Sequence, residues 1–189
     1  SIFIISFGNY MNNITKEQIL KLEKIGIAVA DSISQEYDKI SAENNEKKII
    51  MQKAVEIAKT SEHDVPVGAL IVKNNEIIAY AVNEREKSQN TVNHAEMLAI
   101  QQANKKLKNW RLNDCEMYVT LEPCPMCASA IIQSRIKSVY FGAYDTINGA
   151  MGSKIDMCAI MNISINIKGG IMEEECSKLL KNYFYTVRN

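Results

Sequence analysis

Four residues in this chain have the types and spacing to do chemistry: His94, Glu96, Cys124 and Cys127. A C-x-x-C pair alone serves structural zinc, redox centres and iron-sulfur clusters alike. The residues around it narrow the choice. A structural zinc is closed by four protein ligands, whereas a catalytic zinc has three and keeps a position for water. His63 is the only other histidine, and Cys115, Cys158 and Cys176 stand alone in apolar patterns that read as strand or helix core. The count therefore points to an open site made by His94, Cys124 and Cys127. Glu96 is the candidate to take a proton from water and return it to a substrate. The competing reading is a zinc that only supports folding, with Glu96 a solvated helix carboxylate. It lacks a fourth ligand. A redox C-P-M-C would leave the histidine and glutamate unexplained.

Those side chains need elements to hold them. "HAEMLAIQQA" and "PCPMCASAII" both read as helix beginnings, and Pro123 and Pro125 suit a helix entry, where a missing amide hydrogen costs little. Two helix N-termini would face one metal, and their positive ends favour thiolates. On an ideal helix, side chains two apart point to different sides, so the pairing of His94 with Glu96 requires both to reach toward the helix end.

Apolar runs at 67–72, 77–82, 117–121 and 139–143 are continuous enough for strands buried on both faces, and the strict alternation at 163–168 predicts an edge strand. Asn74 and Asn75 can take the positive φ of a hairpin turn. Helical patterns fall at 94–107, 125–136 and 173–186. This order predicts one α/β domain with a hairpin, two strand-helix crossovers and a mixed sheet covered by helices.

Upstream, Ile19, Leu22, Ile25 and Val29 predict an amphipathic helix within 14–40. The polar SAENNEKK at 41–48 reads as a linker or a helix start, and Ile50, Ala54, Ile57 and Ala58 form a second stripe. We expect a mainly helical extension over 1–45 and a zinc-dependent domain over 46–189. With 189 residues, 47% hydrophobic, the chain can fill a substantial core. Formal charge is zero, so no general basic field marks a nucleic-acid binder, and any RNA contact must come from a local patch. An odd count of five cysteines without a disulfide scaffold predicts a reducing compartment, the cytoplasm by default. The opening SIFIISFG falls short of the ~20 apolar residues that span a membrane and lacks a basic lead, so neither a signal peptide nor a membrane partner is expected.

The H-x-E and P-C-x-x-C pair is the signature of zinc nucleobase deaminases. Beyond it, DVPVGALIV, Asn83, HAEMLAI, NWRL, MYVTLEPCPMCASAII, SRI, VYFGAYD and GAMGS follow one another as they do in bacterial tRNA-specific adenosine deaminases, which the chain closely resembles from Asp64 to Phe184. The resemblance implies a cytidine-deaminase-like three-layer α/β/α fold with a five-stranded mixed sheet. It also implies a homodimer with one Zn²⁺ per subunit, and hydrolytic conversion of adenosine to inosine at the wobble position of a tRNA anticodon stem-loop. Carried over by position, His94, Cys124 and Cys127 hold the metal and Glu96 shuttles the proton. Asn83 hydrogen-bonds the target base, Asp145 lines the nucleic-acid site near a ribose, and Phe184 stands near the anticodon loop. Turn or cap roles compete for Asn83 and Asp145, and core packing competes for Phe184. Glu122, just before Pro123, is read as shaping the turn that delivers Cys124.

The chain departs from the family at Asn90, Thr91, Val92 and Asn93, where D-P-T-A is common, and it lacks basic residues around Asp145. RNA affinity would then fall to Lys105, Lys106, Lys108 and Arg111, which also read as a solvated helix end. Two alternatives stay open. One is a deaminase of a free base or nucleoside, of guanine or cytosine type, against which ASAIIQSRI follows the tRNA enzymes. The other is a non-catalytic zinc-bearing RNA-binding subunit; such partners lack the glutamate that stands here as Glu96.

Overall fold

The structure is a computed structural model that describes residues 15–18, 21 and 30–188. The chain divides into two compact units, residues 1–47 and 48–189. The expected stripe of Ile19, Leu22, Ile25 and Val29 lies outside the described residues. Helix α1 spans Ala30–Ala58, so the polar stretch 41–48 is helix and not a linker. No glycine or proline occurs between Gly26 and Pro66, and Ser, Ala, Glu and Lys are compatible with an exposed helix.

In the unit of residues 48–189, five strands form one sheet. They are β1 Gly68–Lys73, β2 Glu76–Val82, β3 Cys115–Leu121, β4 Ser138–Ala143 and β5 Asn166–Lys168, in the spatial order β2-β1-β3-β4-β5. The β1–β2 and β1–β3 pairs are antiparallel, and the β3–β4 and β4–β5 pairs are parallel. Asn74 and Asn75 take φ of 51° and 62°, the left-handed values that a two-residue hairpin needs. The helices are α2 Arg85–Ser88, α3 Ala95–Leu107, α4 Pro125–Gln133, α5 Met157–Ile160 and α6 Glu173–Arg188. Each parallel pair is joined by a strand-helix crossover, through α4 and α5, as the pattern of runs predicts.

Side chains alternate across the sheet and build a core on each face. Ala69, Ile71, Met117, Val119, Val139 and Phe141 pack with the buried faces of α3 and α4. Leu70, Val72, Tyr118 and Tyr140 pack with Met51, Ala54 and Val55 of α1 and with Cys176 of α6. The rings of Tyr118 and Tyr140, paired across β3 and β4, lie 4.7 Å apart at 35°. Three acidic residues, Glu173, Glu174 and Glu175, open α6, where the positive helix end stabilises them.

Two expectations change. IIAYAV does not form a strand buried on both faces, because β2 is the sheet edge. Helix α3 covers Ala79 and Ala81, while Tyr80 on the other face is 59% exposed. The alternating run at 163–168 is an edge strand as expected, but only Asn166–Lys168 pairs.

Gly68 sets how closely α1 approaches the sheet. A Cβ there would run into the Ala54 carbonyl oxygen and the Ala58 amide nitrogen, both backbone atoms. Backbone cannot step aside as a side-chain tip can. Gly68→Val is expected to cost about 2 kcal/mol or more through overpacking, a fall in Tm of roughly 5 °C for a domain of this size. An unchanged thermal melt would show that α1 does not press on β1 as described.

Candidate metal centre and substrate cleft

His94 is the N-cap of α3, with φ −72° and ψ 153°, and Cys124 is the N-cap of α4, with φ −71° and ψ 171°. Pro125 occupies the first turn of α4. Both ligand-bearing segments therefore enter helices from extended backbone, as the two sequence stretches predict. Strand β3 ends at Leu121 and delivers Cys124 three residues later, while Cys127 sits fully buried in the first turn of α4.

His94 Nδ1 lies 3.8 Å from Cys124 Sγ and 3.5 Å from Cys127 Sγ. All three ligand atoms fall within 4.8 Å of one another. Tetrahedral zinc, with Zn–S near 2.3 Å and Zn–N near 2.0 Å, sets such neighbours about 3.5–3.8 Å apart. One imidazole and two thiols at these separations fit zinc, and no fourth His, Cys, Asp or Glu joins the group among the described residues. The donor set is that of an open site.

Glu96 is 4% exposed and lies in the first turn of α3. It lines the same cleft as His94 and Cys124, so it faces the space beside the ligands. The objection from i, i+2 spacing falls away because His94 is a cap residue with extended backbone and does not follow the helical angle. Burial raises the Glu96 carboxyl above the usual range. Within the thiol pair, the hydrogen bond from Cys127 pulls Cys124 down to about 4, with further help from His94. The same bond, with burial, pushes Cys127 up. The bond to Cys124 in turn raises His94.

The three ligands and Glu96 follow the carboxyl ends of β2 and β3, the edge of the sheet at which antiparallel β1 begins. A cleft of about 790 Å³ opens there, lined by His94, Glu96 and Cys124 and also by Asn83, Asp145 and Phe184. The fold thus gathers residues from β2's end, two helix starts, the segment after β4 and the last helix.

Asn83 is 9% exposed; its Nδ2 donates to the Val65 carbonyl at 3.3 Å, and its Oδ1 is buried with no partner. An orphan acceptor costs about 1–3 kcal/mol unless a ligand donates to it. Asp145 is half-buried, and its Oδ1 accepts from the Ile147 and Asn148 amides, each at 2.9 Å. This is the turn role read as its competitor, and it leaves Oδ2 without a hydrogen-bond donor among the described residues. Phe184 is not core: it is 44% exposed and borders the cleft beside Leu180.

The wall at 84–93 is held from below by Asp64, 2% exposed, whose carboxylate accepts from the Glu86 amide at 2.6 Å and the Lys87 amide at 3.0 Å. Asn93 closes the same loop through its Nδ2 on the Ser88 hydroxyl at 2.8 Å and its carbonyl on the Glu84 amide at 3.0 Å. No role for Asp64 follows from its place in DVPVGALIV, because its partners lie 22 and 23 residues away. By contrast Lys105, Lys106, Lys108 and Arg111 do not line the cleft. They stand at or beyond the far end of α3, about 20 Å of helix from His94. There Arg111 stacks 4.1 Å from the Trp110 ring centre, with Arg135 at 6.0 Å.

Residues 44–143 match the family model of the cytidine and deoxycytidylate deaminase zinc-binding region. The chain is 43% identical over 144 residues to the tRNA-specific adenosine deaminase of Bacillus subtilis, an alignment covering 74% of this chain and 89% of that protein. It is 34% identical to the chloroplastic tRNA(adenine(34)) deaminase of Arabidopsis thaliana, over 87% of this chain and 14% of that longer protein. A solved structure from a study of A-to-I editing by tRNA:A34 deaminases superposes with a TM-score of 0.67 at 33% identity, covering 69% of this chain and 97% of the other. Matched in fold, ligand spacing and sequence along most of its length, the chain belongs to the tRNA-specific adenosine deaminases of the cytidine-deaminase-like zinc family.

Proposed function

We propose that this protein hydrolytically deaminates adenosine to inosine at the wobble position of a tRNA anticodon. The observation that carries this reading is the juxtaposition of buried Glu96 with a three-ligand site, beneath a cleft wide enough for a flipped-out base. His94, Cys124 and Cys127 would hold a zinc ion, which when bound would supply Lewis-acid activation of a water molecule. Glu96 would take a proton from that water and pass it to N1 of the adenine, and would then take the proton of the new C6 hydroxyl and give it to the leaving amine. The C6–N bond breaks, a C6–O bond forms, and ammonia leaves. Asn83 offers its orphan Oδ1 to a donor on the target nucleoside, and Asp145 offers its unpaired Oδ2 to a ribose hydroxyl. Phe184 presents a half-exposed ring at the rim, where a neighbouring base can stack. Extruding the target costs least from an unpaired loop, which suits an anticodon better than a duplex.

The same reading places the deaminase domain at 46–189, with 1–45 as its extension. It takes the chain as a homodimer, supported by exposed Ile155, Ile160 and Ile163 on one segment around α5. It also takes the cytoplasm as the compartment, since all five cysteines are free and no described helix is long and apolar enough to cross a membrane.

Incubated with a synthetic anticodon stem-loop bearing adenosine at the wobble position, the purified protein is expected to form inosine there. Guanine, cytosine and free adenosine should remain unchanged. Deamination of a free base with the stem-loop untouched would overturn the reading. Glu96→Ala is expected to keep one zinc per chain by atomic absorption while losing at least about 100-fold in turnover, the usual weight of a general acid-base group. Substantial residual activity would remove Glu96 from the proton path.

A further inference from the structure

Glu122 is 2% exposed and stands two residues before Cys124. Its side chain does not fold back onto the turn that carries the metal ligand, as the sequence suggests. It crosses to the segment after β4. Oε1 accepts from the amides of Met151 and Ser153, each at 3.0 Å, and Oε2 accepts from the Asp145 amide at 3.1 Å and from the Ser153 hydroxyl. No lysine or arginine pairs with it among the described residues. Four protein donors converge on one acceptor-only group, and charge-assisted bonds of this kind are about twice as strong as neutral ones.

The loop is shaped to reach it. A Cβ at Gly149 would collide with the Glu122 carboxylate and the Asp145 carbonyl oxygen, so a side chain at that position would prise the loop away. Backbone bonds complete the joint: the Ala150 amide donates to the Pro123 carbonyl at 2.8 Å, and the Glu122 amide to the Ala143 carbonyl at 2.9 Å. Asp145, Thr146, Ile147 and Asn148 of this loop line the cleft opposite the metal ligands.

We propose that Glu122 is a positioning residue that sets the cleft-lining loop, residues 145–153, at a defined height over the metal centre. Its backbone continues into Cys124 while its carboxylate holds the Asp145 amide, so one residue fixes the distance between the metal and the substrate-facing wall. The kinetic part of this inference rests on the adenosine reading above, and the structural part does not.

Glu122→Gln isolates the point. The amide oxygen can still accept from Met151 and Ser153, and the Ser153 hydroxyl can turn to accept from the new NH₂. The Asp145 amide then faces a donor and loses its bond. The variant is expected to keep one zinc per chain, to speed amide hydrogen exchange over 145–153 on the order of tenfold, and to raise KM for the stem-loop by a similar factor with kcat changed less than about threefold. Wild-type exchange and KM, or loss of the metal, would overturn the proposal. If Glu122→Gln fails to fold, Ser153→Ala removes one donor from the exposed loop side and leaves the carboxylate in place. A smaller shift in the same two readouts supports the assignment, and wild-type values in both refute it. Exchange needs no substrate, so a protein that ignores the stem-loop would defeat the adenosine reading while this measurement still decides the role of Glu122.

Discussion

Everything at the cleft depends on bringing the starts of two helices within coordination distance, although they are 30 residues apart in the chain. His94 caps α3 and Cys124 caps α4, and the sheet beneath decides where both helices begin. Small residues make the approach possible: Ala95, Ala99 and Ala103 of α3 and Ala128 of α4 are fully buried against the strands. Larger side chains there would lift the helices off the sheet and spread the ligand atoms beyond the few ångströms that a single ion can bridge. Metal geometry is thus a consequence of core packing one layer away.

Four carboxylates around the cleft show how environment separates chemically similar groups. Asp64 and Glu122 are nearly fully buried, and their oxygens are taken up by amide hydrogens of the loops they hold. Such groups rigidify, because every donor they satisfy would otherwise be left unpaired. Asp145 spends one oxygen on its own turn and keeps the other for a partner. Glu96 is buried beside the thiols, where desolvation raises its carboxyl and makes its carboxylate a stronger base than an exposed glutamate. Two of the four therefore build walls, and two face the space between them.

The division is also visible in how the walls are made. Neither the 84–93 loop nor the 145–153 loop contains regular structure beyond the short α2, and each owes its shape to a buried acid from another part of the chain. Loops held this way can vary in sequence while keeping their backbone in place. That accounts for a chain whose Asn90 to Asn93 segment departs from the common family pattern yet still closes on itself through Asn93.

The sequence by itself determined the chemistry and most of the elements. Ligand count, helix-start signals at His94 and Cys124, the Asn74-Asn75 hairpin and the apolar runs are local properties, and local physics makes them readable. Three things were decided only by the tertiary structure. Whether IIAYAV is central or at the edge depends on which strands lie beside it, and a run of apolar residues carries no such information. Phe184 could have been core or rim, since an amphipathic helix shows its stripe but not its neighbour, and the placement of α6 put it at the cleft. The partners of Glu122 and Asp64 lie 22 to 31 residues away, and no periodicity connects an acid to amide hydrogens that any residue could supply. Hydrogen bonds to backbone leave no mark on the sequence of the partner, so the groups that hold this cleft open became visible only when the chain was folded.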